Sequence, residues 1–178
     1  MDAALEAKPS GGRVVDLGTG SGALFVTALL ELPSAHGIAV DASHGALQVA
    51  QDNAQRHGLG RMQARHALCD WRGDGWGAGL GTFDLVLCNP PYVEEDAELD
   101  PDVRNYEPAT ALFAGKDGLD DYRTLIPQMR KLMNDSAVAI FETGASQADS
   151  VREIAEQAGF SVEIRNDLAN RPRCAILR

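Results

Sequence analysis

The apolar run Leu85-Val86-Leu87-Cys88 stops on Asn89-Pro90-Pro91-Tyr92, and that junction constrains the fold more than any other stretch of the chain. Val86 and Leu87 suit a strand buried on both faces of a parallel sheet. Pro90 must end it, because proline has no N–H to give to a ladder. Asn89 therefore stands at the carboxyl end of a strand. In open α/β sheets ligands bind at that edge, beside the point where strand order reverses. The prolines fix φ and remove two donors, so the carbonyls of Asn89 and Pro90 project from a stiff turn. Together with the side-chain carbonyl of Asn89 and the flat face of Tyr92, they suit a planar NH2 group, an amide or an exocyclic amine. The alternative is a strand followed by a Pro-Pro turn in which Asn89 only caps.

Strand and helix patterns alternate around this junction. Arg13-Val14-Val15-Asp16-Leu17 reads as a short buried strand leading into Gly18-Thr19-Gly20-Ser21-Gly22, with an apolar helix over about 23–32 that Pro33 closes. His36-Gly37-Ile38-Ala39-Val40-Asp41 is a second strand ending in an acid, and a helix capped at Ser43 runs through Leu47, Ala50 and Ala54 to Gly58. Residues 62–67 form a third strand, and 73–81 a flexible glycine-rich connection. Residues 94–116 are acidic and without clean periodicity, which marks a substrate lid. Helical spacing returns over 119–133 and 147–157, with strands at 137–141, 160–164 and 173–177. This order indicates an α/β fold with a doubly wound, mostly parallel sheet. At 178 residues and 44% hydrophobic content, one domain spanning 1–178 with one core is expected.

A formal net charge of -10 argues against a chain whose affinity comes from neutralising nucleic-acid phosphates, so a protein or small-molecule partner is expected. Cys69, Cys88 and Cys174 are odd in number and have no C-x-x-C spacing, which points to neither a disulfide framework nor a zinc site and fits a reducing cytosol. His36, His44, His57 and His66 have no metal-ligand spacing, and no metal is expected. Cys88, inside a buried strand, reads as a small hydrophobe rather than a nucleophile. No apolar run approaches the ~20 residues needed to span a membrane.

The glycine loop lets the backbone come close to a ligand, with free N–H groups at the helix behind it. Asp41 lies at about the ~20-residue offset expected of an acid that accepts from two ribose hydroxyls. Both NAD-type and other nucleotide cofactors remain open on these residues. Asp70-Trp71, after the third strand, supplies an acceptor and a large ring where an adenine would lie; the alternative is a surface acid and a core tryptophan.

With both motifs in place, the chain resembles class I S-adenosylmethionine-dependent methyltransferases, and within them the HemK/PrmC family. The resemblance runs from Val15 through Gly22, along Ala39-Val40-Asp41-Ala42-Ser43 and Asp52-Asn53-Ala54, to Asp84 through Tyr92. Its most diagnostic stretch is Val103-Arg104-Asn105-Tyr106-Glu107-Pro108, Ala111-Leu112, Gly115-x-Asp117-Gly118-Leu119 and Tyr122-Arg123. The tail is similar too, from Glu142-Thr143-Gly144 through Gly159-Phe160 to Asp167-Leu168-Ala169-Asn170-Arg171, with Asn170 where a glycine is usual. This resemblance implies a Rossmann-like seven-stranded sheet with an antiparallel last strand, and S-adenosylmethionine as cofactor, leaving as S-adenosylhomocysteine. It also implies transfer of a methyl group to the side-chain amide nitrogen of the glutamine in the Gly-Gly-Gln motif of peptide chain release factors.

By the same resemblance Asn89, Pro90, Pro91 and Tyr92 are the catalytic residues. Gly18, Thr19, Gly20, Ser21, Gly22, Asp41, Asp70, Trp71 and Asn89 are the cofactor-binding ones. A cytoplasmic monomer is implied, acting on a protein partner without direct nucleic-acid contact. Family members carry a helical N-terminal domain, whereas here residues 1–12 precede the first strand, so a catalytic domain without it is expected. Rival readings are methylation of a ribosomal-protein glutamine, N6-adenine methylation of nucleic acid, and a non-catalytic module binding S-adenosylmethionine or NAD.

Overall fold

The computed structural model describes residues 1–8, 10–32, 34–98 and 108–178. Its strands are β1 (Arg13–Leu17), β2 (His36–Asp41), β3 (Ala64–Leu68), β4 (Phe83–Cys88), β5 (Met133–Glu142), β6 (Val162–Asn166) and β7 (Pro172–Leu177). Among the described residues they form one seven-stranded sheet in the order β3-β2-β1-β4-β5-β7-β6. The pairings from β3 through β5 are parallel, and β7 runs antiparallel to both β5 and β6. Strand order reverses between β1 and β4, as the Asn89 junction requires.

Both faces of the sheet are covered, and the period of two along each strand divides the core. Val14, Ala39, Leu85, Leu87 and Ile140 pack with Phe25, Val26 and Leu29 of α2 (Ala23–Glu31), and with Ala54 of α3 (His44–Arg56). Val15, Leu17, Val40, Val86, Cys88 and Phe141 turn the other way. They meet Tyr122 and Leu125, a 3-10 helix over Ile126–Lys131, and Val151 and Ala155. Each Val, Leu, Ile or Phe among them contributes roughly 1.5–3 kcal/mol when fully buried, and burial on both faces is why Leu85 through Cys88 can be apolar without alternation.

Residues 1–12, for which no element was expected, contain α1 (Asp2–Ala7), whose Ala4 is buried against α2. A short α4 (Ala109–Leu112) lies within the 94–116 stretch. The helix expected over 119–133 is α-helical only in α5 (Asp120–Leu125) and then tightens to the 3-10 form, because Pro127 has no N–H for the carbonyl four residues back. The next strand begins at Met133 rather than 137, since Phe83 pairs with Met133. Residues 73–81 form successive turns, with Trp76 Nε1 donating to Gln128 (2.9 Å) and Cys69 Sγ to the Trp76 carbonyl (3.0 Å). The final helix is α6 (Ala148–Gln157). Asn170, standing where glycine was expected, takes φ +59°, a conformation asparagine tolerates better than most residues. Asp167 closes that turn by accepting from the N–H groups of Ala169 and Arg171, both at 2.9 Å. Pro33, most of the Val103–Pro108 motif and the centre of the expected lid lie outside the described residues.

Gly37 sits opposite Val14 in the β1–β2 ladder, where a Cβ would run into the Val14 carbonyl oxygen. That neighbour is backbone and cannot swing aside. Gly37→Ala should therefore destabilise the fold by about 1–3 kcal/mol, lowering the melting temperature by roughly 2–12 °C. Scanning calorimetry giving an unchanged melting temperature would show that the ladder has slack here.

Candidate active site

Register alone brings the sequence motifs together. Leu17 pairs with Cys88 on one side and with Val40 on the other, and Asp41 pairs with Leu68. The loops leaving β1, β2, β3 and β4 thus start side by side on one edge. Backbone bonds then tie them: Gly18 and Thr19 both donate to the Val40 carbonyl (2.9 and 3.0 Å), and Cys69 donates to the Asp41 carbonyl (2.9 Å).

Gly18 has φ +70°, and a Cβ on it would lie 2.9 Å from the Trp71 ring, so only glycine lets the loop pass. A Cβ on Gly20 would meet nothing within 4 Å, so the loop faces open space there. The Gly20 N–H donates to Asp41 Oδ2 (2.9 Å), and the Ser43 N–H to Asp41 Oδ1 (2.8 Å). Each Asp41 oxygen keeps a lone pair for a further donor. Ser43 also caps α3, accepting from the Ala46 N–H. Asn53 of α3 donates to the Ser21 carbonyl at 2.9 Å, which gives the Asp52-Asn53-Ala54 motif its structural meaning.

Beneath the loop lies Asp16, 1% exposed. Its Oδ2 accepts from Thr19 Oγ1 at 2.6 Å, while its Oδ1 is buried without a hydrogen-bond partner among the described residues. Burial pushes its pKa up to about 7; the Thr19 bond works against this, and the nearby Asp41 charge adds to it.

Asp70 is exposed, with Oδ1 accepting from the Arg72 N–H (2.9 Å). Trp71 is a core side chain at 9% exposure, its Nε1 donating to Asp121 Oδ1 (2.8 Å). Arg72 binds the same buried carboxylate at 3.1 Å. Asn89 is exposed and its backbone carbonyl adjoins Gly18, whereas Pro90 and Pro91 are buried. Tyr92 is half-buried and packs against the face that carries Tyr122. Cys88 is fully buried, and desolvation drives its thiol pKa far up, so it serves packing rather than nucleophilic attack. Among the described residues, no group of three or more His, Cys, Asp or Glu could hold a metal.

Beside the turn opens a cleft of about 640 Å³, reaching Cys88, Tyr92 and Glu142 and bounded by α1 and the β6–β7 hairpin. Four further residues hold this edge that sequence reasoning did not single out as site residues: Asn53, Asp121, Tyr122 and Gln147. Tyr122 donates its hydroxyl to the Glu142 carbonyl at 2.7 Å. Gln147 donates to the Tyr92 carbonyl at 2.9 Å.

Residues 3–105 match the family described as methyltransferase small domain. The chain belongs to that family. Relatives of this methyltransferase domain include the release factor glutamine methyltransferase of Rhodospirillum rubrum, 40% identical over 94% of this chain and 51% of that protein. That of Cereibacter sphaeroides is 41% identical over 93% of this chain and 59% of that protein. The chain thus spans little more than half the length of these relatives. Among solved structures, a ribosomal protein L11 methylase from Lactobacillus delbrueckii superposes with a TM-score of 0.69 at 20% identity, over 99% of this chain and 76% of that one. A magnesium protoporphyrin IX methyltransferase from Synechocystis, solved with bound SAM, gives 0.63 at 20%, over 99% and 75%. Both establish the fold as that of class I methyltransferases.

Because the folded-state pKa of Asp16 lies above its unfolded value of 3.8, its contribution to stability is fully present below about pH 4. It is lost as pH rises through about 7, at about 1.4 kcal/mol per pH unit in that window. Asp16→Asn keeps the shape and cannot ionise. Urea unfolding between about pH 4.5 and 7.5 should show the variant losing less stability than the wild type. Parallel stability curves for the two proteins would mean that Asp16 is ionised throughout.

Proposed function

We propose that this domain transfers a methyl group from S-adenosylmethionine to the side-chain amide nitrogen of the glutamine in the Gly-Gly-Gln motif of a peptide chain release factor. The observation that carries this reading is the Leu17–Cys88 register, which sets an open glycine loop beside an Asn-Pro-Pro-Tyr turn. The names of the relatives support the substrate.

The residues present fit the cofactor. Asp41 has acceptor capacity left for ribose hydroxyls, and the space beside Gly20 leaves room for a ligand close to the backbone. Gly18 through Gly22, Asp41, Asp70 and Asn89 would hold the group, with the buried Trp71 ring backing Gly18 rather than facing the ligand; when bound, the group supplies an electrophilic methyl on a sulfonium. A carboxamide nitrogen is a poor nucleophile because its lone pair is delocalised into the carbonyl, so the protein's task is to orient it. The Asn89 side-chain oxygen and the Pro90 carbonyl accept its two hydrogens, and Tyr92 packs against the amide plane. Alignment supplies most of the acceleration, both acceptors strengthen as positive charge builds on nitrogen, and one amide hydrogen then leaves to solvent as a proton, giving the neutral N-methyl amide. The cleft beside Tyr92 offers room for the loop that carries the glutamine.

Mass spectrometry of a release factor incubated with the domain and labelled cofactor tests the reading directly; label on adenine in nucleic acid and none on glutamine would overturn it. Asn89→Ala should lower kcat by about 10²–10³, the usual cost of one preorganised polar partner, while calorimetry shows cofactor affinity falling by much less, because Asp41 and the glycine loop remain. Asp41→Ala should do the reverse, weakening cofactor binding by about 1.5–3 kcal/mol for each charge-assisted hydrogen bond lost. An Asn89→Ala protein with near wild-type kcat would make the turn a structural feature only.

A further inference from the structure

Gln147, at the N-cap of α6, is 8% exposed, yet every polar group of its amide is engaged. Its Nε2 faces three backbone carbonyls: Tyr92 at 2.9 Å, Asp117 at 3.2 Å and Gly118 at 3.4 Å. Its Oε1 accepts from the Gly144 N–H at 3.2 Å. The amide can point only one way, since three carbonyls demand a donor and an N–H demands an acceptor. The space around it is filled as tightly as its bonds. A Cβ on Gly118 would meet both the Tyr92 carbonyl and Gln147 Nε2, and a Cβ on Gly144 would lie 2.5 Å from Gln147 Oε1.

The position of these bonds matters because of the prolines. Pro90 and Pro91 have no N–H, so the turn lacks two of the donors with which a turn ordinarily ties itself down. Its carbonyl end must be held by donors from elsewhere, and Gln147 reaches the Tyr92 carbonyl across 55 residues of sequence. Its other hydrogen holds the Asp117-Gly118 backbone, so one side chain joins the turn to the segment that follows the acidic stretch and to the exit of β5.

We propose that Gln147 is a positioning residue for the methyl transfer: through the Tyr92 carbonyl it fixes the Asn89–Tyr92 turn in the geometry that orients the substrate amide. This rests on the function proposed above. It assigns to Gln147 no contact with substrate or cofactor.

The test compares wild type with Gln147→Ala, Gln147→Glu and Gly118→Ala. Gln147→Glu is nearly isosteric and keeps an acceptor for Gly144, but sets an oxygen against three carbonyls. Gly118→Ala would set a methyl against both the Tyr92 carbonyl and Gln147 Nε2, the two ends of the same bond. For a peptide bearing Gly-Gly-Gln, kcat should fall about tenfold to a hundredfold in each variant. S-adenosylmethionine affinity by calorimetry should stay within about twofold, because Asp41 and the glycine loop are untouched. Hydrogen exchange at the Val93 and Leu119 amides should accelerate. Wild-type kcat in Gln147→Glu, or a loss of kcat matched by an equal loss of cofactor affinity, would overturn the proposal. If the wild type itself methylates no glutamine, the proposed function fails. The exchange data then decide this inference alone, and unchanged protection at Val93 would overturn it.

Discussion

The parallel pairing of Leu17 with Cys88 is the constraint on which the site depends. It places Gly18 and Asn89, the first residues beyond each strand, next to each other at the point where strand order reverses. The pairing is pinned by burial on both faces: Leu85 and Leu87 turn toward α2, Val86 and Cys88 toward the opposite layer. A slip of one residue would exchange the two sets and set every side chain against the wrong partners. It would also carry Asn89 about 3.3 Å along the strand, away from the glycine loop. Core packing therefore sets the geometry of the chemistry without any core residue taking part in it.

The segment after the acidic stretch acts on the turn from behind, and magnitudes separate its contacts. Arg123 grips Asp117 with two bonds, at 2.6 and 2.9 Å, and both groups are half exposed. Pairs of that kind contribute about 0–1 kcal/mol, screened by salt, so this one orients the Asp117-Gly118 backbone more than it stabilises the fold. Tyr122 is different. Its ring is fully buried, and its hydroxyl satisfies the Glu142 carbonyl, so losing it would leave a large cavity and an unpaired acceptor. Tyr122 supports the end of β5, and Gln147 hangs from the loop just beyond it.

Much of this was legible in the sequence because it is written in local signals. β1 and β2 begin and end where the apolar runs do, and Ser43 caps α3 as its type predicts. The switch point followed from one proline after a buried strand. What the sequence did not display depends on distant partners. α1 is too short and weakly patterned to be seen, and becomes a helix because Ala4 packs under α2. Pro127 could be read as an interruption, but not that the chain would tighten into a 3-10 turn instead of leaving the helix. Trp71 carried two readings, and the bond from its indole to Asp121, 50 residues away, accounts for the core one. Gln147 looked like an ordinary helix start, with only its spacing from Gly144 to set it apart.

The residues missed share one physical role. Glycine loops and Pro-Pro turns bring backbone to a ligand, and for that reason carry few side chains of their own with which to hold themselves. Glycine adds to the difficulty, since it has the most conformational freedom to lose on folding. Something outside the motif must restrain them, and here it is done by single polar side chains reaching backbone carbonyls: Asn53 at Ser21, Tyr122 at Glu142 and Gln147 at Tyr92. Asp121 works one step removed, fixing the ring that backs Gly18. Each anchor stands on a helix packed against the sheet, so the rigidity of the hydrophobic layers passes to loops that have none. The preorganisation that the proposed reaction would need at Asn89 is therefore distributed over residues on both faces of the sheet, well outside the four that would touch the substrate.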